Sequence, residues 1–143
     1  MTLTKWDRRF LELAQLVAGW SKDPSTQCGA VIVRQDRTVA GVGFNGFPRG
    51  IEDMRGRLLD REFKLAVVIH AEENALLHVR EPVAGCTVYT HPLLPCPRCA
   101  AKLIQAGIVR VVAPKTQREE CAGLPLNLTR ELFCEAGVKL VEV

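Results

Sequence analysis

The segment from His70 to Cys99 sets the narrowest limits on what this chain can become. It opens with His70-Ala71-Glu72 and closes with Pro95-Cys96-Pro97-Arg98-Cys99. One imidazole and two thiols make three ligands for a metal that prefers a tetrahedron. A site with three protein ligands leaves the fourth position to water, as catalytic zinc requires. The cysteines are spaced i, i+3, so at a helix start both sulfurs point to one side. A helix N-terminus also favours the thiolate, the form that binds metal. The expected cofactor is therefore zinc on His70, Cys96 and Cys99. Glu72 follows the histidine by two residues and is expected to hang over the open position without binding the metal. A carboxylate there can take a proton from water and hand it on. Zinc makes that proton easy to remove, because it lowers the pKa of water from 15.7 toward about 7.

Each half of this pattern has a plainer reading on its own. A C-x-x-C pair also occurs as a redox couple or as half of a structural zinc site. A single histidine before an apolar helix is commonly a packed core residue. The joint pattern is far more specific, and a closed structural site has no obvious fourth ligand. His78 and His91 are the only other histidines, and of these His91 is the one that can approach the metal.

A length of 143 residues suits one domain with one good core, and a single domain over 1–143 is expected. The net charge of +3 is mild. It suits a small anionic substrate and lacks the basic stripe of a nucleic-acid binder. No apolar run approaches a membrane span. The segment Met1-Thr2-Leu3-Thr4-Lys5-Trp6 lacks the sections of a signal peptide, so a cytoplasmic protein is expected. There the six cysteines are expected as thiols and ligands rather than disulfides. Cys28, Cys86, Cys121 and Cys134 stand singly in apolar contexts and read as small core residues.

Apolar residues at Trp6, Phe10, Leu13, Ala14 and Val17 predict a first helix over Thr2 to Gly19, with Thr4 as N-cap. Ser21 to Thr26 reads as a polar connector, Asp23 and Ser25 included. Cys28 to Val33 and Thr38 to Phe44 predict a hairpin. Gly43 to Gly50 holds three glycines and a proline in eight residues, a loop able to let backbone approach a ligand. In it Asn45 suits a sugar hydroxyl and Arg49 suits a phosphate. Ile51 to Lys64 reads as a solvated charged segment, helical in its second half, with one basic residue reaching the pocket or a neighbouring subunit.

Leu65 to Ile69 is an apolar lead into His70. Helices are expected over His70 to Val79, Cys96 to Ala106 and Leu124 to Ala136. Strands are expected over Cys86 to Thr90, Ile108 to Ala113 and Val138 to Val143, with a polar loop over Pro114 to Gly123. The strand–helix–strand order around Cys96 to Ala106 implies parallel pairing by a right-handed crossover. The sum is an α/β fold, a three-layer α/β/α sandwich on a five-strand mixed sheet.

H-x-E followed by P-C-x-x-C is the signature of zinc-dependent base deaminases. Further matches are Ser21-Lys22-Asp23-Pro24-Ser25-Thr26-Gln27, Gly29-Ala30-Val31-Ile32-Val33, Gly43 to Gly50 and Ile104-Gln105-Ala106-Gly107-Ile108. On these residues the chain resembles the cytidine deaminase-like superfamily, and within it most the deoxycytidylate (dCMP) deaminases. The resemblance implies that fold and hydrolytic deamination of dCMP to dUMP plus ammonia. Water activated at zinc would attack C4 of cytosine, and Glu72 would protonate N3 and then the leaving amine. Asn45 would hold the sugar and Thr26 would line the base pocket. Ser21 and Lys22 would be candidates for the phosphate. It also implies a homo-oligomer, a hexamer or a dimer, activated by dCTP and inhibited by dTTP near the glycine loop with Gly46 and Arg49. Family members with a second zinc carry an insertion before H-A-E. No Cys or His lies between Cys28 and His70, so one Zn2+ per chain is expected.

Two departures stand out. Cys28 replaces a usual aliphatic residue, and Cys99-Ala100-Ala101-Lys102 replaces a usual C-A-K. The alternatives are another zinc deaminase, acting on cytosine, 5-substituted dCMP or tRNA adenosine, or a non-catalytic zinc module. The tRNA and cytosine enzymes typically carry Glu or Ser before Pro-Cys, where this chain has Leu94. RNA binding also needs phosphate contacts in number, against the mild charge.

Overall fold

The computed structural model describes residues 3–143. Thr2, the expected start of the first helix, lies outside them. Helix α1 spans Lys5–Ala18 and is followed by strands β1 (Gly29–Val33) and β2 (Val39–Phe44). Short helices α2 (Arg55–Leu59) and α3 (Arg61–Val67) precede α4 (Ala71–His78). Then come β3 (Thr87–His91), α5 (Pro97–Gln105) and β4 (Arg110–Ala113). A ribbon of β5 (Glu120–Cys121) and β6 (Leu124–Pro125) leads to α6 (Leu126–Ala136) and β7 (Lys139–Glu142).

The five-stranded sheet has the order β2-β1-β3-β4-β7. β1 pairs antiparallel with β2 and β3, whereas β3, β4 and β7 run parallel. Alternation along the strands sorts side chains to two faces. Ala30, Ile32, Val88 and Val111 pack with Ala71 and Ala75 of α4, Ala100 and Leu103 of α5, and Phe133 of α6. Val31, Val33, Tyr89, Val112 and Val141 pack with Phe10 and Ala14 of α1. The three-layer mixed-sheet expectation therefore describes the structure.

Two glycines bring the helices onto the sheet. A Cβ on Gly29 would stand 2.2 Å from the Ala14 carbonyl oxygen of α1. A Cβ on Gly43 would stand 2.4 Å from both the Ala71 carbonyl oxygen and the Ala75 nitrogen of α4. Gly43→Ala should therefore lift the first turn of α4 and cost about 1–3 kcal/mol, the scale of overpacking. A thermal melt coinciding with wild type would contradict this close approach.

Thr4 caps α1 in a capping box with Asp7: each backbone N–H donates to the other's side chain at 3.1 Å. Asp7 is buried and also accepts from Arg110 at 2.8 and 3.0 Å and from the Tyr89 hydroxyl at 2.7 Å. One carboxylate thus ties α1 to β3 and β4. The Arg110 hydrogen bonds hold its carboxyl well below the usual carboxylate range, against the upward push of burial. Removing it leaves Arg110 and Tyr89 without their partner, so Asp7→Ala should cost about 3–5 kcal/mol at neutral pH. A depressed pKa gives stability that is present above the ordinary carboxylate value near ~3.9 and is lost as pH falls toward the folded-state value. Urea melts should therefore show the gap between wild type and variant shrinking below about pH 4. A gap that widened with acid would have the wrong sign.

Several local expectations change. The segment 51–64 forms two short helices rather than one, and α3 continues through Val67. Asp60 is the pivot, ending α2 and capping α3 by accepting from the Phe63 N–H at 3.1 Å. The loop 114–123 is not wholly irregular. Ala122 and Gly123 take φ of 54° and 75°, the positive pair a tight two-residue hairpin turn needs, so Cys121 and Leu124 pair across it. Leu124 and Pro125 are thereby drawn into the ribbon, and α6 starts at Leu126. Of the four single cysteines only Cys86 is fully buried; Cys28 and Cys121 are half-buried and Cys134 is exposed. Cys134 lies off the face of α6 that buries Leu126, Thr129 and Phe133. Among the described residues no helix is long and apolar enough to cross a membrane.

Candidate active site

His70 is the N-cap of α4 and Cys96 the N-cap of α5, with Pro97 in the first turn where a missing N–H costs nothing. Cys99 follows one turn into α5. Both positive helix ends therefore face the same point, which favours thiolates and carboxylates there. The approaches are pinned. Gly46 and Ile69 exchange backbone hydrogen bonds of 3.1 and 2.8 Å just before His70. The Thr90 hydroxyl donates to the Leu93 carbonyl at 2.7 Å, and the Thr129 hydroxyl to the Pro95 carbonyl at 2.8 Å, just before Cys96. The Glu73 carboxylate accepts from the His70 N–H at 3.2 Å and pairs with Lys102.

His70 Nδ1 lies 3.5 Å from Cys96 Sγ and 3.3 Å from Cys99 Sγ. The three donor atoms lie within 4.8 Å of one another. Tetrahedral zinc with bonds of about 2.0 Å to nitrogen and 2.3 Å to sulfur separates N from S by about 3.5 Å. The donor set and its spacing fit that ion. Among the described residues no further Cys, His or carboxylate belongs to this group, so Glu72 and His91 stand outside it. The closed four-ligand reading therefore lacks its fourth donor. The hydrogen bond between Cys96 and Cys99 favours the thiolate on Cys96, holding it well below the usual thiol range, and pushes Cys99 up. The hydrogen bond with Cys96 raises His70.

His70 and Cys96 line a cavity of about 240 Å³. Glu72 lines it yet is only 7% exposed, and burial pushes its carboxyl above the usual glutamate value. That makes it a group able to carry a proton nearer neutral pH than a free carboxylate.

The other expected residues divide. Asn45 and Thr26 line the cavity. The Asn45 amide also organises the loop, accepting from Cys28 N–H at 2.9 Å and donating to the Thr26 carbonyl at 2.9 Å. Ser21 is buried and donates to the Asn45 carbonyl at 2.9 Å. Lys22 pairs with Asp53 at 3.1 Å, and Arg49 contacts the His78 ring at 3.1 Å. Ser21, Lys22, Gly46 and Arg49 are not part of the cavity lining. Residues read as connector or solvated charge do line it: Asp23, Ser25, Arg61, Lys64 and Arg118. Two basic residues of the charged segment 51–64 thus reach the cavity, where one was expected. Cys28 and Cys121 form part of its wall.

A family model described as the cytidine and deoxycytidylate deaminase zinc-binding region matches residues 4–115. The chain belongs to this deaminase family. A deaminase of the luxG 3′ region of Aliivibrio fischeri is 43% identical over 141 residues, covering 96% of this chain and 93% of that one. The deoxycytidylate deaminase of Mus musculus is 40% identical over 140 residues, covering 94% and 77%. Among solved structures, the dCMP deaminase of cyanophage S-TIM5 in complex with dCMP and dUMP superposes with a TM-score of 0.77 at 21% identity, over the whole of both chains. That likeness adds the fold. Within this deaminase fold, His70, Cys96 and Cys99 are the residues that can hold the family's zinc.

Proposed function

We propose that this protein is a zinc-dependent deaminase that hydrolyses dCMP to dUMP and ammonia. The observation that carries the reading is the set of three metal donors, two of which line a cavity together with the buried Glu72 and with cations. The relatives named deoxycytidylate deaminase support the choice of base and sugar.

When bound, zinc supplies a nucleophile at neutral pH by lowering the pKa of water toward about 7. Glu72 takes one proton from the attacking water and delivers it to N3 of the cytosine, where it stays. It then carries the proton of the new C4 hydroxyl to the amine as the C4–N bond breaks and the C4 carbonyl forms. Its burial suits both halves of that cycle, since a raised pKa lets the carboxyl hold a proton more readily than a free glutamate does. Asn45 and Thr26 form the wall against which base and sugar are positioned. His70 and Glu72 sit on one rigid turn, so the metal and the proton carrier keep a fixed relation.

The chain is read as one catalytic domain acting in the cytoplasm as a homo-oligomer. The test is direct: purified protein is given dCMP, dCTP, deoxycytidine, cytosine and tRNA, and ammonia release is followed. Fastest turnover of dCMP is expected. Turnover of cytosine or of tRNA adenosine in place of dCMP would overturn the reading.

A further inference from the structure

The charges on the cavity wall are unequal in an instructive way. Three cations line it, Arg61, Lys64 and Arg118, against two carboxylates, Asp23 and Glu72. Lys64 is already committed. Its ammonium lies 3.1 Å from Asp23 and 3.2 Å from the Ser25 hydroxyl, and the Lys64 and Asp23 side chains are only 14% and 10% exposed. Asp23 in turn accepts from the Ser25 and Thr26 N–H groups at 2.8 and 3.2 Å. This pair neutralises itself inside the wall. Glu72 belongs to the proton-transfer end.

Arg118 differs. Among the described residues it makes no ion pair, and its one side-chain bond is a neutral one of 3.3 Å to the Thr26 hydroxyl. That contact places the guanidinium at the exposed rim while leaving most of its five donors unused. Its fork geometry matches two oxygens of a phosphate. The topology explains why it is there. Ligands of parallel strands gather at the strands' carboxyl ends. From that end of β3 the chain runs to Cys96, and from the same end of the parallel β4 it runs to Arg118. A nucleotide with its base at the metal end therefore carries its phosphate outward toward Arg118. Arg61 also lines the cavity, but no side-chain hydrogen bond or ion pair among the described residues fixes it.

We propose that Arg118 is the specificity residue that reads the 5′-phosphate and makes the protein prefer nucleoside monophosphates to nucleosides. This rests on the function proposed above. It assigns the phosphate to a residue outside the 21–22 and 43–50 segments.

Steady-state kinetics on dCMP and deoxycytidine test it, using wild type, Arg118→Glu, Arg118→Lys and Arg61→Glu. One charge-assisted phosphate contact corresponds to roughly 10- to 100-fold. Arg118→Glu should raise KM for dCMP by about that factor, with a much smaller change in kcat, and lower the dCMP-to-deoxycytidine preference in step. Arg118→Lys should recover part of the loss, and inorganic phosphate should inhibit Arg118→Glu less than wild type. Arg61→Glu should shift KM less than Arg118→Glu. An unchanged preference in Arg118→Glu, equal losses on both substrates, or a larger shift in Arg61→Glu would overturn the assignment while leaving dCMP deamination standing. Wild-type protein inert toward dCMP would overturn both readings.

Discussion

Glu72→Ala is expected to lose about 10²–10⁴-fold in turnover, the scale of a missing acid–base group, and to keep its zinc. The two parts of that expectation come from separate observations. Glu72 lines the cavity and is 7% exposed, with burial raising its pKa, so it is placed to move protons. It stands outside the His70, Cys96 and Cys99 donor group, so its removal takes no ligand away. Glu72→Gln keeps the shape of the side chain and removes only its acid–base capacity, so it should fall as far. Turnover near wild type in the glutamine variant would remove Glu72 from the mechanism. Loss of zinc in both variants would make it a ligand instead.

Cys99→Ser should empty the metal site and with it abolish deamination. Cys99 is 1% exposed at the start of α5, with Sγ 3.3 Å from His70 Nδ1. Serine has nearly the same shape but does not ionise to a soft thiolate, and two remaining ligands hold zinc poorly. Elemental analysis should fall from about one zinc per chain to a small fraction. The melting temperature should fall as well, because a ligand at a thousandfold excess over its Kd contributes about 4 kcal/mol to the folded state. Chelation of wild-type protein should reproduce both losses, and added zinc should reverse them. Full zinc content in Cys99→Ser would mean that the ion sits elsewhere.

Features written in short stretches of chain were readable from the residues alone. Thr4 as a cap, the unbroken apolar run of Gly29–Val33 and the helix start at Cys96-Pro97 each depend on neighbours a few positions away. The donor trio was legible for the same reason, since His70-x-Glu72 and Cys96-x-x-Cys99 are local patterns. What could not be read depends on distant partners. Asp7 looks like an ordinary first-turn acid until Arg110, 103 residues later, closes on it. Lys64 looks like solvated charge until Asp23, 41 residues earlier, reaches it. Arg118 lies in a loop, as expected, but nothing near it in sequence shows that it reaches the Thr26 hydroxyl, 92 residues earlier, at the cavity. Ser21 and Lys22 were credited by motif alone, and tertiary packing sends one inward to a backbone carbonyl and the other to Asp53.

The imidazole and the first sulfur come from positions 26 residues apart, and β3 runs between them. An ion held by both closes that stretch into a ring. A cross-link of that span takes more freedom from the unfolded chain than from the folded one, so metal and fold support each other.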